Sequence, residues 1–137
     1  MSEVATGICR IYLLFLSLYH VTTGIISYFF PVFAIQFYKK IYGCEAEHRE
    51  QLIINLRPWG ALALFAGITG LFAAWNPVRY LGVIIALAVL LSLRVLYRIV
   101  LRKQMNKYGG MPLHRNIISI TMIFVGNCIL IFWLMSL

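Results

Sequence analysis

Four long stretches nearly free of charged side chains constrain this chain more than any other feature. They cover residues 11–37, 58–75, 80–101 and 116–137. A helix of about 20 residues crosses the ~30 Å hydrocarbon core of a bilayer. Because a helix satisfies its own backbone hydrogen bonds in lipid, the pattern predicts an all-α integral membrane four-helix bundle, built as a single transmembrane domain spanning residues 1–137.

Composition supports a membrane environment rather than water. Of the 137 residues, 62% are hydrophobic and 12% are charged. A soluble domain of this size has too little interior to hide so much apolar surface. We therefore expect lipid to cover most of the outside of the bundle.

Several local signals predict how the spans are connected. Pro31 is expected to kink the first span or end its regular part. Residues 45–57 are predicted to form a surface helix or a lead-in to the second span. The link 76–79 is so short that spans two and three should be antiparallel neighbours. Small residues in span two, such as Gly67 and Gly70, predict close approach of another helix.

Basic residues predict the orientation of the spans. The connections 38–57 and 102–115, with the end of span three, carry nine of them: Lys39, Lys40, Arg49, Arg57, Arg98, Arg102, Lys103, Lys107 and Arg115. The opposite side carries Arg10 and Arg79. The positive-inside rule therefore predicts a multi-pass protein of the cell inner (plasma) membrane, with these two connections cytoplasmic and both termini on the outer side. Such basic residues suit lipid head groups, and nucleic acid is not an expected partner.

Arginines in the third span predict either an ion pair or a ligand site. Arg94, Arg98 and Arg102 are spaced to share one helical face. Glu47 and Glu50 lie on the same side of the membrane, so one hypothesis pairs either of them with Arg94 or Arg98. The other hypothesis is an anion site for a lipid phosphate or the polar head of a quinone-like ligand.

Histidines and cysteines give weaker signals. His20 should lie near mid-membrane, where it would either ligate haem or a chlorophyll magnesium or bond to another helix at the depth of Asn127. His48, His114 and Cys44 fit no established metal-binding spacing, so no metal site is predicted. Cys9, Cys44 and Cys128 form no predicted disulfide.

Sequence motifs for catalysis are missing from the chain. It contains no GxSxG, P-loop or GxGxxG motif and no pair of carboxylates placed for acid–base chemistry. We therefore expect a protein that is not an enzyme.

Three segments resemble the DoxX-like group of small four-helix membrane proteins. They are GIISYFFP at 24–31, LRPWGALALFAGITGLFAAWNP at 56–77 and LSLRVLYR at 91–98. They lie within the stretch from about Gly24 to Lys103, which is a little over half of the chain. The resemblance implies a compact four-helix bundle, and some DoxX-like proteins act beside quinone-linked sulfur oxidation or other redox systems. It supplies no catalytic residues, and it draws attention to Arg57 and Arg94 as structurally central.

Two functions are compatible with this sequence. The first is a non-catalytic accessory subunit of a larger respiratory or photosynthetic complex, with other membrane subunits as partners. The alternative is a stand-alone redox-linked membrane protein of DoxX-like type that binds a quinone-type ligand at Arg94, Arg98, Arg102 and Arg57. A small transporter is less favoured, because no span contains an acidic residue. The cofactor is left open between a lipid, a quinone and a pigment at His20.

Overall fold

The computed structural model describes residues 3–43 and 49–137, with only the backbone described for residues 49–51 and 108. This part of the chain is helical, without strands. It contains six helices: α1 (Glu3–Phe29), α2 (Pro31–Tyr42), α3 (Arg49–Trp75), α4 (Leu81–Val100), α5 (Arg102–Gly109) and α6 (Leu113–Met135). Four of them, α1, α3, α4 and α6, are long and apolar enough to cross a membrane.

Two helices replace the predicted first span. α1 begins at Glu3 rather than near residue 11, and it ends at Phe29. Pro31 then occupies the first turn of α2, where its missing N–H and fixed φ are tolerated. The chain therefore changes direction at Phe30, and residues 31–37 belong to a separate helix instead of extending the span.

The second long helix, α3, contains a proline within its length. α3 runs without interruption through Pro58, so its residues 49–57 lead directly into the second span, which is one of the two alternatives predicted for the segment 45–57. Residues 44–48 lie outside the described part of the chain. Proline removes one backbone hydrogen bond of a helix interior, and in α3 that loss does not end the helix.

The last connection contains structure that the sequence analysis did not anticipate. α4 ends at Val100, and after Leu101 the short helix α5 begins. Gly110 ends α5 in the left-handed conformation, with a φ of 63°. Gly43 ends α2 in the same way, with a φ of 69°. A break at Leu101 means that Arg102 no longer continues the helical face of Arg94 and Arg98.

Glycines bring α1 and α3 into close antiparallel contact. A Cβ atom added to Gly67 would lie 2.7 Å from the backbone nitrogen of Val21, and one at Gly60 would lie 2.6 Å from that of Tyr28. These distances leave room for hydrogen alone, so the predicted close packing of span two is confirmed. As residue numbers rise along α3 they fall along α1, so the helices run in opposite directions.

Side-chain contacts fix the directions of the other long helices. Asn116 and Asn127 of α6 bond to Arg98 and Ser92 of α4, so these two helices are antiparallel. The turn 76–80 makes α3 and α4 antiparallel neighbours as predicted. α1 and α4 therefore run parallel, and the ends of α1 and α4 meet α2 and α5 at one end of the bundle. Both chain termini lie at the other end.

The core lies between α1, α3, α4 and α6 and is filled mainly by small and branched side chains. Its members are Ala5, Cys9, Leu13, Leu16, Ala73, Ala74, Ile84, Leu87, Ala88, Leu91, Leu130 and Trp133. The bulkiest residue of this core is Trp133. Its side chain is fully buried, and its Nε1–H donates to Thr6 Oγ1 at 3.3 Å.

Candidate functional site

A hydrogen bond between Arg94 and His20 joins two long helices inside the bundle. Arg94 Nη1 lies 3.2 Å from His20 Nε2, and His20 Nδ1 lies 2.8 Å from the carbonyl oxygen of Leu16. His20 is 6% exposed, whereas Arg94 is half-buried. The parallel course of α1 and α4 brings these two side chains to one level.

These two contacts determine the protonation of His20. A guanidinium has only N–H donors, so Nε2 must accept the bond with an unprotonated lone pair. The Leu16 oxygen accepts, so Nδ1 carries the hydrogen. His20 is therefore a neutral imidazole, and it contributes no charge to oppose that of Arg94.

Arg94 carries a positive charge without a carboxylate partner in the described residues. Its bond to His20 uses one of the five N–H donors of the guanidinium. Among the described atoms, which exclude the side chains of residues 49–51, the other donors have no hydrogen-bond acceptor. A cation is costly to keep inside a low-dielectric bundle unless it is paired, so this geometry leaves Arg94 able to bind an acceptor or an anion.

Three tyrosines lie near the pair, two of them in α1 and one in α2. Tyr12, Tyr19 and Tyr38 all lie within electrostatic range of the Arg94 charge. The ring of Tyr19 meets that of His20 edge-on, with centroids 5.4 Å apart. Sequence analysis did not single out these residues, although a hydroxyl-bearing aromatic inside an apolar span is a signal that would have found Tyr12 and Tyr19.

The helix α2 covers this cluster and is held by two hydroxyl bonds. Tyr42 Oη lies 2.5 Å from Tyr19 Oη, and Tyr38 Oη lies 2.8 Å from Ser27 Oγ. Burial raises the pKa of Tyr38, and the bond with Ser27 opposes part of that rise. The Tyr38 hydroxyl therefore keeps its proton at neutral pH and remains available as a donor.

Arg98, one turn further along α4, is engaged in a different way. Its Nη1–H donates to Asn116 Oδ1 at 3.0 Å, and Asn116 Nδ2–H donates back to the Arg98 carbonyl at 3.2 Å. The guanidinium also lies 5.6 Å from the centre of the Tyr42 ring. Arg98 is 9% exposed and joins α4, α6 and α2, which is a structural role.

Two other arginines that the sequence singled out do not join this cluster. Arg57 and Arg102 are exposed on the surface of the bundle. Glu47 and the side chain of Glu50 lie outside the described residues, so their pairing with Arg94 or Arg98 stays a prediction. The same applies to Cys44 and His48, and no group of three His, Cys, Asp or Glu that could hold a metal ion occurs in the part that is described.

The neighbours of His20 differ from those suggested by depth. His20 does bond to another helix, but the partner is Arg94 of α4, while Asn127 Nδ2–H donates to Ser92 Oγ at 2.7 Å. Both ring nitrogens of His20 are occupied by protein groups. Coordination of haem or of a chlorophyll magnesium would therefore require Arg94 to leave Nε2.

Comparison with known proteins was made for family models, curated proteins and solved structures. None of the three finds a match. The resemblance to the DoxX-like group therefore rests on the three sequence segments alone.

Proposed function

We propose that this chain is a four-span membrane protein that binds the head group of a quinone-type ligand at Arg94. Membrane insertion is supported by the outside of the bundle. Within the apolar windows of the four long helices, only 22% to 33% of the residues are buried by the protein itself. The remaining apolar surface needs lipid to cover it.

Exposed tryptophans support the same placement. Trp59 and Trp75 of α3 are 69% and 86% exposed and lie near opposite ends of its apolar part. Tryptophan is enriched at both interfaces of a bilayer, where its ring can reach lipid and its N–H can reach water. The two residues therefore bracket the membrane-crossing part of α3. The basic residues favour a cytoplasmic position for the end that carries α2 and α5.

The observation that carries the ligand proposal is the neutral partner of Arg94. A quinone head offers carbonyl oxygens, which accept hydrogen bonds, and a ring that packs against aromatic side chains. Arg94 offers N–H donors that the described residues leave unused, in a half-buried position, and the ring of Tyr19 meets that of its partner His20 edge-on. His20, the hydrogen-bond partner of Arg94, is neutral and therefore does not repel its charge. The DoxX-like resemblance favours the same ligand class.

Binding of a short-chain ubiquinone analogue tests this proposal directly. The purified protein in lipid nanodiscs is equilibrated with the analogue, and empty nanodiscs correct for partition into lipid. Arg94→Gln should lower the affinity at least about tenfold, as expected when a half-buried charged donor is lost. Arg79→Gln, which removes an exposed arginine at the other end, is the matched control and should bind like the wild type.

Stability distinguishes a ligand site from a structural one. If Arg94→Gln lowers the unfolding midpoint but leaves binding of the analogue unchanged, Arg94 serves the fold and the proposal is wrong. Equal binding to protein-containing and empty nanodiscs leads to the same conclusion.

An accessory subunit is the second candidate, favoured by an apolar groove on the outer face between α1 and α6. The groove is lined by Ala5, Ile8, Phe124, Val125, Cys128, Ile129 and Phe132. A helix of another subunit in a respiratory or photosynthetic complex would fit such a surface. Purification in mild detergent from the native membrane tests it, since large partners should co-purify. Recovery only as a free monomer or self-oligomer would count strongly against this candidate.

A further inference from the structure

We infer that the bundle end formed by α2 and α5 binds an anionic phospholipid leaflet through a band of exposed cations. We call this the basic band, and it consists of Lys39, Lys40, Arg57, Arg102, Lys103, Lys107 and Arg115. It is separate from Arg94, which lies deeper between the helices. The inference concerns the lipid around the protein and does not depend on a quinone.

Helix lengths place the band at the level of lipid phosphates. α4 has 20 residues, which at 1.5 Å per residue just spans about 30 Å of hydrocarbon. Arg102 begins α5 two residues after α4 ends, and Arg115 lies in the first turn of α6. Both are therefore within a few ångströms of the point where apolar helix gives way to the head-group region.

Local contacts hold the band in place rather than leaving it on a loose loop. Met105 of α5 is half-buried, and Asn106 Nδ2–H donates to the Met111 carbonyl at 3.0 Å. Arg115 Nη1–H donates to the carbonyl of Ile41 at 2.9 Å. That bond ties the start of α6 to the end of α2, where Lys39 and Lys40 lie.

Charge at this end is strongly unbalanced. Glu3, at the other end of the bundle, is the one acidic residue whose side chain is within the described part of the chain. By sequence, Glu45, Glu47 and Glu50 belong to the connection near the band. Even if each neutralises one of the seven cations of the basic band, four remain. Phospholipid phosphates at the same depth are the counter-charges that fit this surface.

Native mass spectrometry of the detergent-purified protein tests the inference. Phosphatidylglycerol and phosphatidylcholine with identical acyl chains are added in equal amounts, and the lipid retained on the protein is counted. The wild type should retain phosphatidylglycerol preferentially. Each cation near an anionic surface contributes about 1 kcal/mol, or about fivefold in affinity, so Arg102→Gln/Lys103→Gln should lower retention by about 5- to 25-fold.

Controls separate this surface from general attraction to a basic protein. Arg10→Gln/Arg79→Gln removes two exposed cations at the other end and should leave retention unchanged. Arg102→Lys/Lys103→Arg keeps the charge and should retain lipid like the wild type, even if the neutral double variant proves unstable. Millimolar inorganic phosphate should not displace the lipid.

Three results would overturn the inference. Equal retention of the two lipids would show that charge does not select the lipid. An equal loss in the variant of the opposite end would show that the basic band has no special role. Displacement by inorganic phosphate would show that the surface holds a free anion and not a leaflet.

Discussion

His20 and Arg94 form a contact that only one protonation state of the imidazole permits. Protonation at Nε2 would place a hydrogen and a positive charge against Arg94, so the bond requires the neutral ring. Because the ring is neutral, His20 does not offset the charge of Arg94. Aspartate or glutamate at position 20 would form an ion pair with Arg94. Histidine at this position accepts a hydrogen bond from Arg94 and leaves its charge in place.

Coupling between these two residues is the first prediction. His20→Phe removes the acceptor of Arg94, and an unsatisfied buried donor costs about 1–3 kcal/mol. The midpoint of thermal unfolding in detergent should therefore fall. His20→Phe/Arg94→Leu leaves no stranded charge and should be more stable than the sum of the single changes implies. Strict additivity of the two single effects would contradict the coupling.

Glycine positions give a second prediction, with controls from the same chain. Gly67→Ala places a methyl group against the backbone of α1 and should destabilise the bundle by about 1–3 kcal/mol, as overpacking does. Gly7→Ala and Gly82→Ala lie in helices with no atom within 4 Å of the new methyl group. They should leave stability unchanged or raise it by up to about 1 kcal/mol. Unfolding in a denaturing detergent series measures all three, and a harmless Gly67→Ala would show that α1 and α3 are not in close contact.

Among the helices, α2 covers the site, because it packs across one end of the four long helices. It contacts α1 through two hydroxyl bonds, α4 through the Arg98–Tyr42 contact and α6 through the Arg115–Ile41 bond. α2 thus closes one end of the bundle above Arg94. Its attachment depends on polar contacts more than on apolar burial, since only Pro31 and Ala34 are buried.

Loosening of α2 is the third prediction. Tyr42→Phe removes the hydroxyl that bonds to Tyr19 and keeps the ring beneath Arg98. A lost hydrogen bond of this kind costs about 0.5–1.5 kcal/mol, which should increase the rate of trypsin cleavage after Lys39 and Lys40 several-fold. Tyr28→Phe, at an exposed tyrosine whose described contact is with the ring of Phe29, is the control. Identical cleavage rates in the two variants would mean that the Tyr19–Tyr42 bond does not hold α2.

Particular helices show how far the sequence could predict this arrangement. The four long helices follow from apolar length alone, because lipid and backbone hydrogen bonding permit little else. α5 was missed because its polar composition resembles a loop. The start of α1 was missed because Arg10 and Glu3 interrupt the apolar run without breaking the helix.

The sequence singled out the two main residues of the site but did not predict that they pair. Arg94 and His20 each stand out as polar residues within apolar spans. Their pairing depends on how α1 and α4 are rotated about their axes, and packing of glycines against α3 and of Asn116 and Asn127 on α6 determines that rotation. Sequence periodicity gives faces of single helices, but it does not say which face meets which neighbour.

For the whole molecule, helix packing determines which ends lie on the same side of the membrane, and the distribution of charge predicts which side is cytoplasmic. Antiparallel packing places both termini at one end of the bundle and α2 and α5 at the other. This follows from contacts and holds in either orientation. The choice of which end faces the cytoplasm comes from nine basic residues on one side against two on the other.

Reporter fusions test both statements in one experiment and give the fourth prediction. A reporter that is active only outside the cytoplasm should be active when fused to either terminus, and it should be inactive when inserted in the connection between α2 and α3. Activity at one terminus alone would contradict the antiparallel four-helix arrangement. Inactivity at both termini, with activity in the connection, would retain the bundle and reverse its orientation, and the basic band would then face the outer leaflet.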